Sequence, residues 1–124
     1  MTVEDRILLS AIWVALMLTY LLGDVIRIFA GDFEPGKIGD MQPGQAMWLG
    51  LSALMLIPII MVVLTLIMGY PAIRWVNIGV AVFFFLFNIV GLPTYPGLYD
   101  KFLIVVGLAF NVLTVWYAWQ WTEV

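Results

Sequence analysis

Four apolar runs dominate the chain, from about Ile7 to Ala30, Ala46 to Met68, Ala72 to Val90 and Leu98 to Trp121, each bounded by Gly, Pro or charged residues. A helix rises about 1.5 Å per residue, so about 20 apolar residues cross a hydrocarbon core of about 30 Å. Together the runs occupy roughly three-quarters of the chain, leaving too little for a separate soluble domain. The residues are 65% hydrophobic and 10% charged, with a mean hydropathy of +1.09. Fold class therefore reads as all-α: an integral membrane, antiparallel four-helix bundle, with residues 1–124 as a single transmembrane domain.

The same composition excludes several functions. With no Cys the chain has no disulfide, thiolate zinc site or iron–sulfur cluster, and with no His it lacks the ordinary axial haem ligand and an imidazole acid–base group. No cofactor and no metal is expected. A net charge of −3 and a pI near 4.5 argue against nucleic acid, which needs a basic face, and against a polybasic lipid-binding patch. Asp32, Glu34 and Asp40 could supply a carboxylate pair or a weak divalent-cation site, but they lie in a loop without the spacing of a calcium loop. Ser10 and Ser52 have no candidate base. The chain is not read as an enzyme.

The opening Met1-Thr2-Val3-Glu4-Asp5-Arg6 lacks the basic n-region of a secretory signal, so the first run is read as a retained anchor. Residues 31–43 form the one long loop, rich in Gly, Pro and Asp. Gly69-Tyr70-Pro71 is so short that it makes helices two and three antiparallel neighbours, and the turn from Gly91 to Gly97 is also compact. Asp100, just inside helix four, reads as a carboxylate facing the positive end of the helix dipole. Arg6 and Arg74 flank the terminal side, against Arg27, Lys37 and Lys101 toward the other. With Arg27 counted as intramembrane and Lys37 outweighed by its acidic loop, the reading places the termini in the cytoplasm; insertion in both orientations is the alternative. Tyr70, Trp75, Trp116, Tyr117, Trp119 and Trp121 collect on the terminal side, as an interfacial belt or as a cage for a cation.

Polar residues inside apolar runs are the candidates for chemistry. Asp24 and Arg27 stand three apart on one face of helix one, with Tyr20 a turn earlier. An Asp or Arg at a helix centre costs about 2.5–3.5 kcal/mol to insert, so such a pair is either a functional site or an ion pair at the interface with Arg27 reaching the headgroups. By depth Tyr20, Asp24, Ser52 and Asn88 lie away from the termini, where they are expected to line one polar vestibule. Arg74, Asn77, Phe84, Asn88 and Gly91 share a stripe of helix three, and each Asn is alternatively an interhelical hydrogen bond. Ala11, Ala15, Thr19 and Gly23 make a small-residue ridge for helix packing, within the chain or against a second copy. Pro58 places a kink in helix two.

The run Leu9-Ser10-Ala11-Ile12-Trp13 through Tyr20, Gly23, Asp24 and Val25, then Ile57-Pro58-Ile59, Arg74-Trp75-Val76-Asn77-Ile78 and Trp116-Tyr117-Ala118-Trp119-Gln120-Trp121, resembles a family of small bacterial four-helix membrane proteins classed as a domain of unknown function. The resemblance spans nearly the whole chain and implies a bacterial multi-pass protein of the inner membrane with no assigned activity. Members often carry an acidic residue two before the helix-two proline; Leu56 stands there, so a mechanism through that acid does not carry over. The expected function is a small transporter-like protein with a polar intramembrane site, or alternatively an accessory subunit of a larger membrane complex. The expected partners are the lipid bilayer and either a second copy or another membrane protein.

Overall fold

The computed structural model describes residues 3–32, 42–94 and 97–120. Glu34, Lys37, Asp40 and Trp121 lie outside the described residues. Among those described, all regular structure is helical: α1 (Val3–Phe29), α2 (Gln45–Ile67), α3 (Ala72–Gly91), a short 3₁₀ turn (Leu92–Thr94) and α4 (Leu98–Trp119). Each of the four α-helices is long and apolar enough to cross a membrane, which marks the chain as a membrane protein.

α1 already includes residues 3–6 ahead of the apolar run, where Glu4 and Asp5 suit the positive end of the helix dipole. It stops at a Schellman motif. Gly31 takes φ +79°, the amide of Asp32 donates to the Arg27 carbonyl at 3.1 Å, and that of Gly31 donates to the Ile28 carbonyl at 3.2 Å. Gly is needed here because an L side chain at that φ would strain the backbone.

α1 and α4 pack along each other, and each carries one further helix, α2 on α1 and α3 on α4. The core is Leu9, Ile12, Trp13 and Leu16 of α1 against Met61, Ile73, Ala81, Phe84 and Ala118. α2 and α3, joined by the shortest connection, are neighbours that touch over only part of their length, less than the other adjacent helix pairs. A tight turn brings two helix ends together without fixing the rest of their length. The buried residues of α2, Pro58, Met61 and Thr65, form an i, i+3, i+7 stripe, and Ser10 of α1 donates to the Val62 carbonyl at 2.9 Å. Pro58 is thus turned into the protein, and lacks the N–H that would bond the Leu54 carbonyl.

The small-residue ridge is only partly a packing surface. Ala11 is exposed, whereas Gly23 is buried with Leu103 Cδ1 3.6 Å from where its Cβ would be. Steps of four residues advance about 400°, so the ridge rotates by about 40° per step and reaches the core face only at its end. α4 comes closer to α1 at Gly107 than at Gly23. A Cβ on Gly107 of α4 would stand 3.3 Å from the Tyr20 ring and 3.5 Å from Leu16.

Candidate functional site

Every seventh residue of α1 from Arg6 reaches another helix with a polar group. Arg6 Nη1 donates to the carbonyls of Thr65 (3.2 Å) and Met68 (2.7 Å) at the end of α2. Trp13 Nε1 donates to Asn77 Oδ1 of α3 at 2.7 Å, and Tyr20 Oη accepts from Asn88 Nδ2 of α3 at 2.6 Å. Arg27 bonds Asp100 of α4. Seven residues turn about 700°, so these side chains stay close to one face, and the 21 residues from Arg6 to Arg27 rise about 31 Å, near the thickness of a hydrocarbon core. The two guanidinium groups therefore mark the two ends of one polar seam.

At the Arg6 end the interactions are structural. Arg6 occupies carbonyls at the end of α2, and Arg74 does the same for α4, with Nε to the Ala118 carbonyl (3.1 Å) and Nη2 to that of Trp119 (2.7 Å). The Arg74 guanidinium lies 5.1 Å from the Trp75 ring and 5.3 Å from the Trp119 ring, and the two indoles meet edge-to-face at 6.1 Å. Of the aromatic residues expected at this end, Trp75 and Trp119 do flank a cation, and it is the protein's own. Asn77 is fully buried; besides Trp13 it bonds the Ile73 carbonyl at 2.9 Å and Thr65 Oγ1 at 3.4 Å, tying α1, α2 and α3 together.

At the Arg27 end the chemistry differs. Arg27 Nη1 lies 3.1 Å from Asp24 Oδ1, while its Nε and Nη2 approach Asp100 Oδ1 at 3.4 and 3.3 Å. The Asp24 side chain is 61% exposed and that of Asp100 only 1%. Asp100 Oδ2 is buried without a hydrogen-bond partner among the described residues. One guanidinium thus faces two carboxylates, and the carboxylate removed from solvent is satisfied on one oxygen only. Beside this cluster Tyr99 Oη donates to the carboxylate of Asp32, just past α1.

The structure brings together Asp24 with Arg27 and Tyr20 with Asn88, two of the pairings expected for a vestibule. Ser52 does not join them: it is exposed, and its hydroxyl returns to the Trp48 carbonyl of its own helix at 2.9 Å. It stands six residues from Pro58, about 240° around α2 from the buried stripe. Asp100 is the residue that sequence reasoning assigned elsewhere. Position alone read it as a dipole partner at a helix start. The signal that finds it is the stripe Asp100, Gly107, Asn111, Thr114 and Ala118, all buried on one face of α4.

No curated protein and no solved structure matches the chain. A family model does, described as a family of unknown function (DUF6326), over residues 2–124. Coverage of nearly the whole length, with the four membrane-length helices inside it, agrees with the resemblance carried by Trp13, Asp24, Pro58, Arg74 and Asn77. The chain belongs to this family of unknown function, DUF6326.

Proposed function

We propose that the protein is a small transporter-like membrane protein in which the Asp24–Arg27–Asp100 cluster binds a cation, a proton included, at the face opposite the termini. The observation that carries this reading is Asp100: a carboxylate buried in an apolar bundle, with one oxygen held by Arg27 and the other without a partner among the described residues. Two carboxylates share one guanidinium, so a single bound cation balances the cluster. Charges kept in such surroundings are costly, and a functional site is their default explanation. Asp24, on the exposed rim, is the entry side of the site, and Tyr20 with Asn88 closes the next level of the seam.

Proteoliposomes carrying an imposed membrane potential test this, with internal pH and radioactive sodium as the two readouts. Wild-type protein is expected to carry protons or sodium above protein-free vesicles. Asp100→Asn, which keeps shape and leaves Arg27 bonded to Asp24, is expected to bring that flux down to the protein-free level. Asp24→Asn slows it less. Flux unchanged in Asp100→Asn, or no flux above background in the wild type, refutes the proposal.

One observation favours the accessory-subunit reading instead. The first turns of α2, Gln45–Gly50, are exposed throughout, including Met47, Trp48 and Leu49, and α2 contributes little contact to α3. That reading requires a fixed partner at constant stoichiometry in mild detergent, with no flux from the isolated protein.

A further inference from the structure

Between α3 and α4 lies a cavity of about 300 Å³ lined by Val82, Phe85, Asn111, Val115, Trp116 and Trp119. It is separate from the charged cluster, and a ligand bound there is independent of any cation held by Asp24 and Asp100. Val82, Trp116 and Trp119 are also exposed on the outer surface, so the cavity opens where an inserted helix pair meets acyl chains. Its walls are aliphatic and aromatic. Asn111 borders it with its amide buried behind the apolar wall: the residue is 1% exposed, and its Nδ2 and Oδ1 both lack a hydrogen-bond partner among the described residues, so a side-chain rotation is needed to present them to the cavity.

An amide buried with neither atom satisfied is a cost to the fold, and native proteins rarely retain one without a reason. The neighbouring hydroxyl does not relieve it, because Thr114 Oγ1 donates to the Phe110 carbonyl of its own helix at 3.0 Å. Asn77 and Asn88 show the contrast: each spends its amide on another helix. Asn111 forgoes no hydrogen bond by turning its amide into the cavity, where it would offer one donor and one acceptor amid aromatic rings. A cavity of about half this volume lined by apolar side chains is enough to hold benzene.

We propose that this cavity binds a neutral aromatic molecule of one or two rings bearing a single carbonyl or hydroxyl group, taken up from the bilayer. The rings lie against Phe85, Trp116 and Trp119. Asn111 Nδ2 donates to the carbonyl oxygen, or Oδ1 accepts from the hydroxyl. An acyl chain has no use for that amide, which is what separates this ligand class from ordinary lipid.

Benzophenone, two phenyl rings joined by a carbonyl, is the probe, because illumination also attaches it where it sits. Full-length protein in lipid nanodiscs is expected to show saturable labelling confined to the α3 and α4 segments around Val82–Phe85 and Val112–Trp119, with 2-naphthol competing for the site. Asn111→Leu, close to it in volume, is expected to weaken labelling about fivefold, the value of one hydrogen bond, while leaving the thermal midpoint unchanged or raised. Val115→Trp, which fills the cavity, is expected to abolish it. Should Val115→Trp fail to fold, Asn111→Leu carries the test alone. Non-saturating label spread over all lipid-facing helices, labelling insensitive to Asn111→Leu, or a lowered midpoint in that variant would overturn the proposal.

Discussion

Replacing Arg27 by methionine is expected to destabilise the protein by about 3–5 kcal/mol, the cost of leaving one member of a buried ion pair without its partner. Arg27 is the residue that holds Asp100, whose side chain is 1% exposed. Asp100→Asn alone is expected to cost less, because a neutral amide tolerates burial and Arg27 retains Asp24 at 3.1 Å. Combining the two substitutions removes the uncompensated charge, so the double variant is expected to recover most of what Arg27→Met loses. Unfolding midpoints of the four proteins in one detergent close the cycle. A double variant as unstable as Arg27→Met would mean that Arg27 acts by packing its stem rather than by neutralising Asp100.

The second large effect belongs to Trp13, which is fully buried and bonded to Asn77. Trp13→Ala is expected to cost about 3 kcal/mol, the lower end for Trp→Ala in soluble cores, because in lipid the unfolded reference is also apolar and the cavity term carries most of the loss. Trp13→Phe keeps most of the volume and is expected to cost about 0.6–1.7 kcal/mol, the span measured for hydrogen bonds between helices in a membrane. The difference between these variants separates packing from bonding at one position. A loss below about 1 kcal/mol for Trp13→Ala would show that α1 is not wedged between its neighbours at this level.

These two residues also show what the sequence makes legible. Spans follow from hydropathy because length and apolarity are properties of each run by itself, and the i+3 spacing of Asp24 and Arg27 suffices to pair them. Tyr20 and Asn88 meet because equal depth on two helices was the right criterion. What one run does not contain is its rotation relative to the others. Ser52 and Ala11 look like members of a polar site and a packing ridge when only depth and spacing are considered, yet each faces outward. Asp100 reads as a dipole partner at a helix start, and it faces inward. In each case the deciding quantity is which stripe turns toward the other helices: Pro58–Met61–Thr65 on α2, Arg6–Trp13–Tyr20–Arg27 on α1, and Asp100–Gly107–Asn111 on α4.

The cation-site reading requires α1 to cross a bilayer, with the Asp24–Arg27–Asp100 cluster at the face opposite Arg6 and Arg74. The chain has no cysteine, so single-cysteine variants report position without a background. Glu4→Cys and Asp24→Cys, both at exposed positions of α1, are treated in sealed, uniformly oriented vesicles with a membrane-impermeant maleimide supplied from one side and then from the other. Labelling of each position from one side only, with the two sides opposite, is the expected result. Labelling of both from the same side would contradict a membrane-spanning α1 and the placement of the cluster with it.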